Sequence, residues 1–574
     1  MIRRRECAAQ PAFGARLHPV LQRIYAARGV KSDRDLDLSL DQLLPVGSLA
    51  GVDAAADLLA AHRTGHVLVI GDFDADGATS SALMVRALRA LGFAHVDFLV
   101  PNRFRFGYGL TPEIVAMAAT RQPSLLVTVD NGVSSVEGVE AARSCDIPVL
   151  ITDHHLPGEK LPRAAAMVNP NLRDSEFASP ALAGVGVAFY VIAALCRRFP
   201  ASDFRPADLL DLVALGTVAD VVPLDHNNRI LVSQGLRRIR AGRCVAGIRA
   251  LLDTGGRNLQ QVVASDLGFA AAPRLNAAGR LTDMSVGISC LLADDIPEAT
   301  RLAETLSKLN DERREIEKRM QGEAIDIIET AELAGAGNSM GLCLFDESWH
   351  QGVVGLVAGR IKDRLNQPVI AFARAEDGSL RGSARSIAGV NIRDALDSIA
   401  VRNPRLIQKF GGHAMAAGLT LSESDLAEFR TEFSAEVARR ADPQSLAGMV
   451  LSDGELAASE LSIDTARQLR DAGPWGQGFP EPVFDGEFTI LDARIVGDRH
   501  LKLRVSAQPG GESLDAIAFG YVGGVCENPR INSGAAIRLA YRLEINLYKG
   551  IERAQLNCQH IEPLLGPSGR EFLC

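Results

Sequence analysis

From Gly65 onward, short blocks of unbroken apolar residues alternate with stretches of helical period. Val67-Leu68-Val69-Ile70, Leu125-Leu126-Val127-Thr128-Val129 and Val149-Leu150-Ile151-Thr152 are solid runs, the pattern of strands covered on both faces of a parallel sheet. Segments 78–91 and 134–143 between them read as helices, so residues 46–296 predict a doubly wound α/β domain after a helical lead-in over 1–45. Over 297–333 the pattern becomes one long amphipathic helix. Leu302, Leu306, Leu309, Ile316, Met320 and Ile327 form one stripe, and Asp311, Glu312, Arg313, Arg314, Glu317 and Lys318 form the charged face. Set between two α/β regions, that helix is expected to be a connecting strut to a second, smaller α/β domain over 334–440.

The last region, 450–565, is β in pattern. Ile537, Leu539, Tyr541, Leu543, Ile545 and Leu547 alternate with mostly polar neighbours, and Leu501, Leu503 and Val505 alternate with Lys502 and Arg504. This fits a small barrel such as an OB-fold that binds single strands, or an antiparallel sheet with one solvated face.

Composition narrows the function. The 574 residues carry 61 Lys plus Arg against 70 Asp plus Glu, a net charge of −9, which excludes a polybasic nucleic-acid coat. Only 8 of the basic residues are Lys, a bias that suits bidentate phosphate contacts but also follows from a G+C-rich genome. The nine Cys include no Cys-x-x-Cys, so a reducing cytoplasm is expected rather than a disulfide framework or zinc site. The basic start is not followed by an apolar segment of signal-peptide type. The longest apolar run, 181–196, is shorter than the roughly 20 residues of a membrane span and is expected to be a buried helix.

The chemistry concentrates in acids at predicted strand ends. Gly71-Asp72-Phe73-Asp74-Ala75-Asp76-Gly77 follows the first strand, Asp130 ends the second, and Asp153-His154-His155 ends the third. Asp220 ends a further apolar run. Ligands of open α/β sheets bind at the carboxyl ends of strands, so four segments are expected to meet in one crevice. Carboxylates packed together repel one another, and divalent cations relieve that repulsion. Oxygen ligands suit Mg²⁺ or Mn²⁺, and the imidazole leans toward Mn²⁺. Two such ions would form the clamp used for displacement at phosphorus. A calcium loop is disfavoured because Leu83 stands where its twelfth-position Glu belongs, and the absence of any Gly-Lys dipeptide excludes a P-loop.

Asp153-His154-His155 together with the Asp74/Asp76 motif resembles the DHH phosphoesterase superfamily. An ordered series of further segments is similar to its branch of single-strand-specific 5′→3′ DNA exonucleases. These are 101–104, 184–189, Pro273-Arg274-Leu275-Asn276-Ala277-Ala278-Gly279-Arg280, 349–355, Gly382-Ser383-Ala384-Arg385-Ser386 and 411–418. The resemblance implies a DHH parallel-sheet domain, a long helix, a smaller DHH-associated α/β domain and an OB-fold barrel. It implies metal ligands at Asp74, Asp76, Asp130, His154 and Asp220, with Asp72 either a ligand or a supporting residue, and two Mn²⁺ or Mg²⁺ ions. His155 is expected at the scissile phosphate. Arg103, Ser383 and Arg385 would hold a 5′-terminal phosphate, and His413 and Arg280 would touch DNA, with Trp349 a further candidate for base stacking.

The resemblance further implies a cytoplasmic, nucleoid-associated monomer with no membrane contact. Its substrate would be single-stranded DNA, degraded to 5′-mononucleotides in repair and recombination, with a single-strand-binding protein and a helicase as partners. Two departures stand in the linker, where Trp475 and Phe479 replace the Phe and Asn usual in that branch. Two rival readings remain at this level: a DHH enzyme acting on short oligonucleotides or cyclic dinucleotides, and an inactive DNA-binding scaffold.

Overall fold

The structure, a computed structural model, describes residues 1–6, 13–14, 17–101, 109–333, 340–441, 448–497, 499–508, 511–521, 533–548 and 550–564. Its strands are β1 (Ile2–Arg4), β2 (His66–Ile70), β3 (His95–Leu99), β4 (Leu125–Val129), β5 (Val149–Thr152), β6 (Ala166–Val168), β7 (Leu342–Phe345), β8 (Val369–Arg374), β9 (Leu380–Arg385), β10 (Lys409–Gly412), β11 (Ala416–Leu421), β12 (Val450–Ser452), β13 (Phe484–Val496), β14 (His500–Ser506), β15 (Ser513–Ala518), β16 (Ala536–Tyr548) and β17 (Ile551–Pro563). Two compact units divide the chain. The first joins Ala9–Asp311 to Asp471–Glu481, and the second joins Met1–Ala8, Glu312–Arg470 and Pro482–Cys574.

In the first unit β2 to β6 form a parallel sheet in the order β3-β2-β4-β5-β6. The three apolar blocks read from the sequence are β2, β4 and β5, buried at nearly every residue. The helix Ala75–Ala90 leaves β2 and packs against Gly184–Cys196 and Leu210–Ala219. Its first turns are rich in Ala, Gly and Ser, so neighbouring backbones approach closely. A β-carbon on Gly216 would stand 2.2 Å from Thr79 Oγ1, and one on Gly71 would stand 2.2 Å from Ser81 Oγ. The apolar run near 181–196 is this buried helix, and among the described residues no single helix is long and apolar enough to cross a membrane.

The long helix runs Ile296–Leu333, roughly 57 Å at 1.5 Å per residue. One expectation for it fails. Arg313 and Glu317 do not face solvent but are 8 % and 7 % exposed. They continue the buried stripe of Leu306, Asn310, Met320 and Ala324, because spacings of three and four keep them on that face. Pairing makes their burial tolerable: Glu317 is ion-paired with Arg313 and, at 2.9 Å, with Arg360.

In the second unit β7 to β11 form a mixed sheet in the order β10-β11-β9-β8-β7, and β13 to β17 close a barrel in the order β13-β14-β15-β17-β16. Leu501, Leu503, Val505, Ile537, Leu539 and Tyr541 point inward. The regular alternation read through β16 stops early. A bulge interrupts the pairing at Ala540/Tyr541, and Leu547 is exposed at the far end, where the β16–β17 hairpin continues past the barrel core.

The lead-in holds the helix Pro19–Ala26, but a strand precedes it. The chain begins as a strand, β1, paired in parallel with β12. Ile2 is buried, and Arg4 grips the buried Asp485 of β13 with two hydrogen bonds of 3.1 Å. Arg538 and the Ser452 hydroxyl donate to the same carboxylate at 2.7 and 2.5 Å. Burial alone would raise the pKa of Asp485, but these donors hold it down to about 2. Asp485→Ala should therefore cost the second unit about 2–3 kcal/mol, less than a fully buried pair because Arg4 and Arg538 stay partly in solvent. Because the folded value is depressed, the carboxylate's contribution is complete above the unfolded value near 3.8 and is lost as pH falls through about 2. Denaturant melts of wild type and variant at pH 7 and pH 2 check this: the gap between them should close at the lower pH.

Candidate metal centre

The C-terminal ends of β2, β4 and β5 lie side by side, so the loops that follow them converge. Asp74 caps the helix Ala75–Ala90, accepting from Gly77 N at 3.0 Å. Asp76, near the start of that helix, is 1 % exposed and accepts from Gly184 N (2.6 Å) and Val185 N (3.0 Å) at the start of the helix Gly184–Cys196. Asp130 follows β4 with φ of 61°, a left-handed backbone that Asp tolerates better than most residues. Gly184 makes room for it, since a β-carbon there would stand 2.6 Å from Asp130 Cβ. Asn131 ties the ends of β2 and β4 together, its amide donating to Ile70 O and Val129 O.

His154 and His155 follow β5. His154 Nε2 lies 3.1 Å from Asp130 Oδ1 and 3.5 Å from Asp220 Oδ2. Asp220 departs from the expectation in one respect: it ends a helix, Leu210–Ala219, rather than a strand. The donors fall into three overlapping sets, Asp130/His154/His155, Asp76/His154/Asp220 and Asp72/Asp74/Asp130, with the candidate ligand atoms of each within 4.8 Å of one another. Asp72 thus stands among the donors, and His155 shares a set with them. Arg280 lies in the last turn of the helix Ala272–Leu281, where Gly279 abuts Phe73 O of the acidic motif and Asn276 Oδ1 accepts from Ala75 N.

The electrostatics are those of carboxylates crowded together in a buried site. Burial, followed by the Asp74 charge, lifts Asp76 to about 7. Burial and then the neighbouring carboxylates push Asp130 and Asp220 well above the ordinary range. Several acids with the imidazoles of His154 and His155 in reach form an oxygen-rich donor set that fits hard divalent ions.

Asp153, the first residue of the Asp-His-His run, is a contributor that sequence reasoning left without a role. It accepts from His154 N, His155 N, Val133 N and the His155 ring. Burial would raise its pKa, but these donors lower it below the ordinary carboxylate value. Burial likewise works to lower His155, yet the Asp153 hydrogen bond and charge, with Asp72 and Asp74, raise it overall. His155 is thereby held toward its cationic form at a fixed orientation, suited to a phosphate oxygen. An Asp directly before two His was the available signal.

A second cluster lies in the second unit. Ser383 and Arg385 are two apart on β9 and so share a face, with Arg385 Nη1 donating to Ser383 Oγ at 3.0 Å. Burial pulls the Arg385 pKa below its ordinary value, and no carboxylate among the described residues pairs with it. Gly355, in the first turn of the helix Val354–Leu365, lies against both: its β-carbon would stand 2.7 Å from Ser383 Oγ and 2.9 Å from Arg385 Nη2. A guanidinium, a hydroxyl and a helix N-terminus are the kinds of donor an anion takes, and the helix adds to the two residues singled out in the sequence. His413 is exposed in the turn between β10 and β11. Trp349 is not a stacking surface: it is 3 % exposed, and its Nε1 donates to Glu323 at 3.0 Å. Arg103 lies outside the described residues.

Known proteins carry the same parts in the same order. The sequence matches the DHH family, N-terminal domain, over residues 66–217, the DHHA1 domain over 338–439 and the RecJ OB domain over 452–560. It is 52 % identical to the single-stranded-DNA-specific exonuclease RecJ of Escherichia coli, covering 98 % of this chain and 99 % of that one. RecJ of Thermus thermophilus is 35 % identical over 84 % of this chain and 68 % of its own. The crystal structure of the Thermus thermophilus protein with Mn²⁺ superimposes with a TM-score of 0.79 at 31 % identity, covering 96 % of this chain and 76 % of that one. A structure of the same protein with Mg²⁺ gives 0.73 at 30 % identity, covering 96 % and 75 %. With these matches spanning nearly its whole length, the chain belongs to the RecJ family.

Proposed function

We propose that this chain is a metal-dependent exonuclease that degrades single-stranded DNA from the 5′ end to 5′-mononucleotides. The buried carboxylate–imidazole cluster of Asp74, Asp76, Asp130, His154 and Asp220 carries the reading, because oxygen donors gathered around an imidazole fit divalent ions. When bound, two such ions supply an activated water and offset the charge on the attacking and leaving oxygens. The protein's own part is positional. Asp76 and Asp74 are fixed by backbone N–H groups, and Asp130 by the close approach of Gly184. His155, oriented by Asp153, offers a ring N–H to the scissile phosphate. Asp72 completes the donor set on the side of Asp74 and Asp130.

Ser383 and Arg385 take the 5′-terminal phosphate, with Arg103 as a second guanidinium. Arg280 and His413 are contacts to the DNA. The barrel offers outward Lys502 and Arg504, each tied to a cross-strand neighbour, Asp515 or Ser513, so that the cations are held in place on the sheet. The work is in repair and recombination in the cytoplasm, by a monomer supplied with strand by a helicase and a single-strand-binding protein.

Digestion of one oligonucleotide, labelled at either end, tests the reading. With Mn²⁺, a 5′ label should appear at once as mononucleotide, while a 3′ label should stay on shortening strands until late. Cleavage of dinucleotides alone would favour the short-oligonucleotide rival. No hydrolysis in Mn²⁺ or Mg²⁺ would favour the scaffold.

A further inference from the structure

Residues 471–481 belong to the first unit although the chain on both sides of them belongs to the second. They form a strap fastened by aromatic and cationic contacts. Trp475 and Phe479 stack at 5.3 Å, and Tyr25 stacks against both at about 6 Å. The guanidinium of Arg28 lies 5.3 Å over Trp475, and that of Arg229 lies 4.3 Å over Phe479. Tyr25 OH donates to Ala472 O, and Arg28 Nε donates to Pro480 O, both at 2.7 Å. Phe479 is 4 % exposed.

The strap touches one loop in particular, 220–225, which joins the helix Leu210–Ala219 to the helix His226–Arg240. Leu224 N donates to Gln477 O at 2.7 Å. A β-carbon on Gly476 would stand 2.7 Å from Leu224 Cδ1, and one on Gly478 would stand 3.3 Å from Pro223 Cβ. The same loop begins with Asp220, the donor that reaches the centre from a helix end. Val221, next to it, has φ of 60°, a strained conformation for a β-branched residue that persists only where its surroundings enforce it. Other restraints lie inside the first part of the chain: Asn228 Nδ2 donates to Pro223 O, and Asp225 caps the following helix and accepts from Ser179. The strap is the restraint brought in from beyond residue 470.

The geometry points to the strap as a positioning element for Asp220: seating Trp475 and Phe479 presses Gly476 to Gly478 onto Pro223–Leu224, holds the Val221 turn in its strained form and so sets Asp220 in the metal centre. This inference rests on the metal-dependent reading above. Residues that orient a ligand without touching the ion typically change metal affinity by about 10–100-fold when altered. Pro482 and Val483 lead from the strap into β13, the first barrel strand.

Mn²⁺ titration calorimetry on the full chain tests this, using wild type, Gly476→Val, Phe479→Leu, Asp220→Asn and each strap change combined with Asp220→Asn. Gly476 is exposed, so Gly476→Val intrudes on Leu224 without cutting the core, and Phe479→Leu keeps an apolar side chain there while removing the ring from Arg229. Each strap change should weaken Mn²⁺ binding about tenfold in the wild-type background. Each should have no further effect once Asp220 is Asn. An affinity within about twofold of wild type for both strap changes overturns the inference, as does an equal loss in both backgrounds, which would mark general loosening. Failure of wild type to bind Mn²⁺, or an unaltered affinity in Asp220→Asn, would instead overturn the metal reading itself.

Discussion

Asp130→Ala should abolish strand cleavage, by about a thousandfold or more, while leaving the chain folded. That corresponds to roughly 4 kcal/mol of transition-state stabilisation, at the upper end for one preorganised electrostatic group. The size follows from position. Asp130 belongs to two of the three donor sets and touches His154, so its loss disturbs every proposed ligand group at once. Ala is also poorly suited to a φ of 61°, so Asp130→Asn is the matched control: it tolerates that backbone and removes only the charge. In metal-free protein Asp130→Asn should raise stability. A carboxyl whose folded pKa lies above its unfolded value weakens the fold as pH rises through the folded value, and Asp130 is such a group. Cleavage rates at saturating Mn²⁺ and metal-free melting curves check the two halves. Appreciable activity in either variant would remove Asp130 from the metal assignment.

Arg385→Ala should erase most of the preference for a 5′-phosphate over a 5′-hydroxyl end. A hydrogen bond to a charged group is worth about 1.5–3 kcal/mol, so the ratio of kcat/KM for the two substrates should fall by roughly 10–100-fold. The loss should lie in the phosphorylated substrate, with the hydroxyl-ended strand nearly unchanged. Arg385→Lys should recover only part of the ratio, because an ammonium lacks the guanidinium fork that reaches a phosphate while also donating to Ser383 Oγ. Equal ratios in wild type and Arg385→Ala would show that Ser383, Arg385 and the helix at Gly355 do not read the end of the strand.

The strap changes how a truncation of the barrel should be made. A cut near residue 450 removes not only β13 to β17 but also Trp475 and Phe479, which are part of the first unit. Loss of activity in such a truncation would mix loss of strand binding with disturbance of the Asp220 loop.

The chain alone determined the elements whose physics is local. β2, β4 and β5 are unbroken apolar runs because both faces of a parallel sheet are covered, and the long helix shows its period over about ten turns. The candidate donors Asp72, Asp74, Asp76, Asp130, His154 and His155 stand out in the sequence because each lies just past such a run, where the sheet topology brings strand ends together. The resemblance supplied Ser383 and Arg385, whose alternation on β9 the structure then explains.

Only the tertiary structure decided what depends on groups distant in sequence. Arg313 and Glu317 look solvated until Arg360 is brought beside them. Ile2 to Arg4 carry no signal of a strand until β12 and Asp485 supply the partners. Phe479 reads as a departure in a linker, and it becomes a buried contact only because Tyr25 and Arg229, both far back in the chain, fold against it. Periodicity records which face of a local element is buried. It carries no record of the partner across the interface, and at these positions the partner sets the role of the residue.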